Sequence, residues 1–184
     1  MKNEEILIAG YGGQGVLSMG KILAYAGLMQ GKEVCWMPSY GPEMRGGTAN
    51  VTVIVGDEQV NSPIITEYDT VVILNKPSLD KFEKTVKPGG KLFYDSNGLP
   101  YPPSRKDINI YHIPAAQETV KIGNPKIFNM VVLGGLFKKL SAVDANYVEA
   151  ALKKSLPERA HKLIPLNLEA FYKGADILEV IYEL

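Results

Sequence analysis

The stretch Gly10-Tyr11-Gly12-Gly13-Gln14-Gly15 decides the fold, because it joins a strand-like pattern to a helical one. Residues 5–9 before it, Glu-Ile-Leu-Ile-Ala, contain a short apolar run, which predicts a buried strand. The apolar residues after it recur at helical spacing until Gly31, which predicts a helix with a glycine stop. The apolar positions of that helix are Val16, Met19, Leu23, Ala26 and Met29. The chain therefore begins as a strand, a glycine turn and a helix.

Apolar strand-like runs and helical patterns alternate along the rest of the chain. The further predicted strands are residues 34–37, 48–55, 70–74, 91–94 and 108–113. The further predicted helices are residues 78–86, capped by Ser78, and residues 115–120, 127–140 and 143–156. A last helix is predicted to resume after Pro165 and to run toward Val180. This order predicts an α/β fold: a Rossmann-like, three-layer domain with a mostly parallel sheet and a helical C-terminal third.

Composition excludes several classes of protein. The 184 residues are predicted to form a single domain over residues 1–184. Lys plus Arg and Asp plus Glu number 20 each, so a dedicated nucleic-acid binder is not expected. The start of the chain lacks the pattern of a secretory signal, and its richest later apolar run, residues 131–137, is too short to cross a membrane. With one cysteine, Cys35, the chain is predicted to be cytoplasmic.

The glycine turn fits the pattern G-x-G-x-x-G in its proper place between a strand and a helix. Glycines let the backbone turn tightly and approach a ligand, and the N–H groups of the helix start attract anions. This favours a phosphate ligand. The alternative is that the glycines only make a tight connection.

A nicotinamide dinucleotide is disfavoured as that ligand. Its fold places an Asp or Glu at the end of the second strand, about 20 residues after the glycines, to bind the ribose. Here that strand ends in Trp36-Met37-Pro38-Ser39, and the nearest acid, Glu43, lies inside the next loop.

That loop, residues 38–48, carries the second feature. It follows a strand that is expected to end at the same edge of the sheet as the glycine turn, so both should line one crevice. Arg45 is suited to phosphate or carboxylate groups. The alternative is that Glu43 and Arg45 are solvated or paired within the chain.

Together, Gly10-Tyr-Gly-Gly-Gln-Gly15 and Ser39-Tyr-Gly-Pro-Glu-Met-Arg-Gly-Gly47 resemble the gamma subunit of the 2-oxoacid:ferredoxin oxidoreductases. That family includes pyruvate, 2-oxoisovalerate and 2-oxoglutarate enzymes. The segment Asn124-Pro-Lys-Ile-Phe-Asn-Met130 also resembles the family, so the likeness spans essentially the whole chain.

The resemblance implies a subunit of an enzyme that converts a 2-oxoacid to acyl-CoA, CO₂ and reduced ferredoxin. The complex is expected to use thiamine diphosphate, Mg²⁺, four-iron four-sulfur clusters and coenzyme A, and to contain alpha, beta and ferredoxin-like delta subunits. This chain is expected to be inactive alone and to have no catalytic or metal-binding residue. It is expected to form part of the wall of the coenzyme A site. The cofactor-binding candidates are Gly10, Gly12, Gly13, Gln14, Gly15, Ser39, Tyr40, Gly41, Glu43, Arg45, Gly46 and Gly47.

Other residues are interpreted as structural. His112 is predicted on a strand and His161 on a helix, while Cys35 and Trp36 are predicted core residues. Two other functions stay open. The chain could be an independent nucleotide-binding module, or a purely structural subunit whose 39–45 loop contacts a partner.

Overall fold

The computed structural model describes residues 3–40, 47–60 and 64–184. In this part of the chain, seven strands form one sheet. They are β1 (Glu4–Tyr11), β2 (Glu33–Tyr40), β3 (Thr48–Gly56), β4 (Tyr68–Ile73), β5 (Val86–Tyr94), β6 (Asn109–His112) and β7 (Glu179–Tyr182). Their order across the sheet is β2-β3-β1-β4-β5-β6-β7.

Strand direction confirms a mostly parallel sheet with an antiparallel insertion. Strands β1, β4, β5 and β6 are parallel neighbours. Strand β3 runs antiparallel to both β1 and β2, so β2 points in the same direction as β1. Strand β7 is antiparallel to β6 at the far edge. The ends of β1 and β2 therefore lie at one edge of the sheet, as the sequence predicted.

Helices cover both faces of this sheet unequally. They are α1 (Val16–Met29), α2 (Lys76–Phe82), α3 (Ala115–Ile122), α4 (Phe128–Lys139), α5 (Val148–Ser155) and α6 (Ile164–Asp176). Residues of α1 and α3 to α6 share the larger core with one face, whereas Leu79 of α2 packs in a smaller core on the other. The three-layer architecture and the helical C-terminal third are confirmed.

The helices α4 and α6 approach each other through two glycines. A Cβ atom on Gly134 would overlap the carbonyl oxygen of Phe171, and one on Gly174 would overlap that of Val131. Glycine at these positions costs each helix some intrinsic stability. The close backbone contact explains why glycine occupies both positions.

Several predicted boundaries are wrong. Asn75, rather than Ser78, caps α2, because its side-chain oxygen accepts a hydrogen bond from the Ser78 N–H at 2.8 Å. Helical structure ends before Val86, which begins β5. Residues 143–156 are not one helix, since α5 begins only at Val148 after a 3₁₀ turn.

The C-terminal end also differs from the prediction. Pro165 lies in the first turn of α6, where its missing N–H needs no partner, and therefore does not interrupt the helix. The helix ends at Asp176, and Val180 belongs to β7. Among the described residues, no helix combines the length and apolar character needed to cross a bilayer.

Trp36 and Cys35 are not core residues, contrary to expectation. They lie on β2, which is an edge strand because β3 occupies the place next to β1. Trp36 keeps 39% of its surface exposed, and Cys35 is half-buried. Because β3 lies between β1 and β2, this apolar strand is at the margin of the sheet and not at its centre.

Candidate functional site

The glycine turn is held by its own glutamine. Gln14 Oε1 accepts a hydrogen bond from the Tyr11 N–H at 2.6 Å, and Gln14 Nε2 donates to the Leu74 carbonyl at 3.3 Å. Gly10 lies at the end of β1, where a Cβ atom would sit 2.6 Å from Gln14 Oε1. Gln14 and Gly10 thus shape the turn from inside.

Helix α1 begins in this turn without a side-chain cap. Gly15 is the N-cap, with a φ of 77° that favours glycine, and it has no side chain to accept the N–H groups of the first turn. The first turn of α1 also contains no acidic residue. The positive end of the helix dipole is therefore available to an anion.

The turn meets the start of β3, as the two predicted loops require. The Gly12 N–H donates to the Gly47 carbonyl at 3.0 Å. Together they form one wall of a groove of about 680 Å³, which we call the first groove. It is lined by Tyr11, Gly12, Gly13, Gly15, Val16, Leu17, Ser18, Trp36, Pro38, Gly47, Thr48 and Ala49.

The predicted site residues divide into three groups. Gly12, Gly13, Gly15 and Gly47 line the first groove. Ser39 is outside that lining, because neighbouring residues of a strand face opposite sides and Pro38 faces the groove. The remaining loop candidates, Gly41, Glu43, Arg45 and Gly46, lie outside the described residues, as does the side chain of Tyr40.

Sequence reasoning missed the opposite wall of the groove. Trp36 and Pro38 are two residues apart on β2 and therefore face the same side, toward α1. Trp36 offers an exposed aromatic surface there. The sequence spacing alone predicts that Trp36 and Pro38 share one face of β2. It does not predict that β2 is an edge strand. None of the described lining residues carries a formal charge, so the groove combines apolar walls with backbone N–H donors.

The histidines make structural contacts outside this groove. His112 lies on β6, with Nδ1 2.7 Å from Glu179 Oε2 and Nε2 3.0 Å from Ser96 Oγ, so it joins the ends of three strands. Burial, and then the charge of Glu179, raises the pKa of the neighbouring Tyr94. His161 Nε2 donates to the Lys153 and Leu156 carbonyls at the end of α5. Within the described part of the chain, no group of three or more His, Cys, Asp or Glu could hold a metal ion.

The family model of pyruvate ferredoxin/flavodoxin oxidoreductase matches residues 5–177 of this sequence. The chain belongs to this family. The match begins in β1 and ends just after α6, so it includes the glycine turn and both walls of the first groove.

Relatives in this family are named as subunits of 2-oxoacid oxidoreductases. The chain is 33% identical to the 2-oxoglutarate synthase subunit KorC of Methanocaldococcus jannaschii, over 95% of this chain and 93% of that protein. It is 38% identical to the ketoisovalerate oxidoreductase subunit VorA of Methanothermobacter thermautotrophicus, over 93% of this chain. The chain spans only 35% of the length of that VorA protein.

Solved structures in the family share the fold. The gamma subunit of a keto/oxoacid ferredoxin oxidoreductase from Geobacter sulfurreducens is 28% identical, with a TM-score of 0.78 over 94% of this chain and 96% of that one. The 2-oxoglutarate:ferredoxin oxidoreductase from Magnetococcus marinus, solved with 2-oxoglutarate, coenzyme A and succinyl-CoA, is 25% identical. Its TM-score is 0.86, over all of this chain and 33% of that one.

Proposed function

We propose that this chain is the gamma subunit of a 2-oxoacid:ferredoxin oxidoreductase and forms part of its coenzyme A site. The complex would convert a 2-oxoacid to acyl-CoA, CO₂ and reduced ferredoxin. This subunit would bind and orient coenzyme A, while the chemical steps take place on other chains. Family membership and the named relatives support the reaction class.

The uncapped start of α1 is the observation that carries the coenzyme A assignment. Its first-turn N–H groups have no side-chain acceptor and open onto a groove whose described lining contains no acidic residue. Coenzyme A contains a diphosphate, which suits backbone donors at a helix N-terminus. Trp36 on the facing wall supplies an apolar surface for the organic part of the same molecule.

Arg45 and Glu43 complete the proposal from the sequence. Arg45 precedes Gly47, which lines the first groove, by two positions. A guanidinium group there would supply the fixed positive charge that the described lining lacks. We assign Arg45 to the phosphate groups of coenzyme A. Glu43, in the same loop, stays a candidate for contact with the same ligand.

The remaining cofactors are assigned to other subunits. A cluster of four iron and four sulfur atoms requires four thiolates, and this chain contains one cysteine, so its residues do not fit a cluster. Thiamine diphosphate, Mg²⁺ and the clusters would therefore be held by alpha, beta and delta subunits in the cytoplasm. Ferredoxin would accept electrons from the complex.

The proposal is tested by isolating the complex. The chain is tagged in its native host and purified without oxygen, and its partners are identified by mass spectrometry. We expect thiamine-binding and cysteine-rich chains to copurify, with ferredoxin reduction that depends on both a 2-oxoacid and coenzyme A.

Two results would contradict the proposal. Recovery of the chain alone, without this activity but with a tightly bound nucleotide, would identify an independent binding module. The complex could instead be active and keep its affinity for coenzyme A when residues lining the first groove are substituted. This chain would then be a purely structural subunit.

A further inference from the structure

A second groove, of about 730 Å³, lies beside the first one. It is formed by α1, the segment before α4 with the first turn of α4, the end of α5 and the start of α6. Ser18 lines both grooves, so they adjoin each other at α1. Seven polar residues line the second groove: Ser18, Lys21, Asn124, Lys126, Asn129, Ser155 and Asn167.

The charged residues that line this groove are all positive. Lys21 and Lys126 both line it, and its described lining contains no Asp or Glu. In the described part of the chain, neither lysine forms an ion pair, whereas Lys32, Lys87 and Lys139, for example, have carboxylate partners. Two lysines in a groove whose described lining contains no carboxylate favour an anionic ligand.

The floor of the second groove is apolar. Leu156, Leu163 and Leu166 line it with half-buried or exposed side chains, beside the buried Ile127 and Met130. A purine base needs such an apolar surface together with amide groups at its edge. The groove therefore combines what a base and a phosphate group each require.

Asn129 lies where the two grooves meet. A Cβ atom built on Gly15 would lie 2.7 Å from Asn129 Cβ, so α4 begins directly against the glycine turn. Among the described residues, the Asn129 side-chain amide has no hydrogen-bond partner, although it is half-buried. A ligand that extends from one groove to the other would pass this amide.

From this geometry we infer that the second groove binds the adenosine 3′-phosphate end of coenzyme A, with Lys21 and Lys126 contacting the 3′-phosphate. The base would lie on the apolar floor, and the diphosphate would reach past Asn129 to the glycine turn. This inference rests on the proposed function, because it extends the same ligand into a neighbouring groove. It gives the segment Asn124 to Met130 a role in ligand binding.

The test compares coenzyme A with 3′-dephospho-coenzyme A in the assembled enzyme. In the wild-type complex, loss of the 3′-phosphate should raise the KM for the coenzyme about tenfold. The Lys21→Gln, Lys126→Gln double variant should raise the KM for coenzyme A by a similar factor of about ten and change that for the dephospho form less than about twofold. The KM for the 2-oxoacid should stay unchanged.

Lys154→Gln is the matched control. Lys154 is an exposed lysine of α5 that also forms no ion pair among the described residues, but it does not line the groove. It should leave both coenzyme KM values unchanged. Thermal unfolding of each variant and its recovery with the other subunits show whether folding and assembly are intact.

Three results would overturn the inference. The double variant could affect both coenzymes equally, or neither, which would mean that the 3′-phosphate binds elsewhere. It could instead lose its partner subunits, which would make the groove a protein interface. Failure of the underlying coenzyme A assignment would look different, since changes in the glycine turn would then leave the KM for both coenzymes unaltered.

Discussion

The two halves of the carboxyl edge of the sheet are built differently. After β5, Asp95 is buried and its two oxygens accept hydrogen bonds from the Asn97 and Ala116 N–H groups, each at 2.7 Å. After β4, Asn75 caps α2 in a similar way. After β1, Gly15 offers α1 no side-chain cap. The capped turns satisfy backbone N–H donors with their own side chains and hold the fold together, whereas the uncapped turn leaves backbone donors for a ligand.

The largest effect is expected on the capped half. Asp95→Ala would remove the buried carboxylate that accepts hydrogen bonds from the Asn97 and Ala116 N–H groups. Loss of a charged acceptor with two partners is costly, so we expect the free energy of unfolding to fall by about 2 kcal/mol. Urea denaturation measures this loss. Asp95→Asn keeps one acceptor oxygen and should lose less, and a loss below about 1 kcal/mol in the alanine variant would contradict the comparison.

A smaller effect is expected at the edge of the sheet formed by β6 and β7, where one hydrogen bond makes the stability of the protein depend on alkaline pH. Tyr111 donates a hydrogen bond to Glu183 Oε1 at 2.6 Å. Burial, followed by this contact with Glu183, raises the pKa of Tyr111. Because folding favours the neutral phenol, its stabilisation is complete below the ordinary tyrosine pKa of about 10 and is lost as the pH rises toward the folded-state pKa.

Tyr111→Phe tests this dependence. The free energy of unfolding should fall above pH 10 in the wild type and fall less steeply in the variant, which should be about 1 kcal/mol less stable at neutral pH. Tyr172→Phe, at an exposed tyrosine of α6, is the matched control and should follow the wild-type curve. Parallel curves for the wild type and Tyr111→Phe would refute the assignment.

Local patterns predicted the first half of the fold well. The strand before Gly10, the glycine turn and α1 depend on residues close in sequence, and all three were predicted. The place of β2 in the sheet was not predicted. It depends on the insertion of β3 between β2 and β1, and the pairing of β3 with β1 is a contact between residues far apart in sequence. Trp36 was therefore predicted in the core although it lies at the margin.

The C-terminal errors have the same physical origin. The four-residue strand β7 exists because it pairs with β6, about seventy residues earlier, so nothing local distinguished it from the end of a helix. Gly174 reads as a weak point of α6 in the sequence, but it permits close contact with Val131 of α4. Pairing and close packing, rather than propensity, determined these positions.

The site was partly predictable for a simple reason. Two loops that follow strands pointing the same way must meet at one edge, and Gly12 contacts Gly47 accordingly. Which side chains of β2 face the groove could not be predicted without its neighbours. Pro38 lines the groove, while Ser39, a predicted site residue, does not.

The central claim is that the uncapped glycine turn binds coenzyme A, and two matched glycines test it most directly. Gly13 and Gly31 have φ values of 98° and 80°, and a Cβ atom on either would meet nothing within 4 Å. Gly13→Ala and Gly31→Ala should each cost about 1 kcal/mol of stability through backbone strain. Only Gly13 lines the first groove.

The measurement is the KM for coenzyme A of the assembled enzyme with each variant. Gly13→Ala should raise it about tenfold, since the turn can no longer place its N–H groups around a phosphate, and Gly31→Ala should leave it unchanged. Equal KM values in both variants and the wild type would contradict the claim.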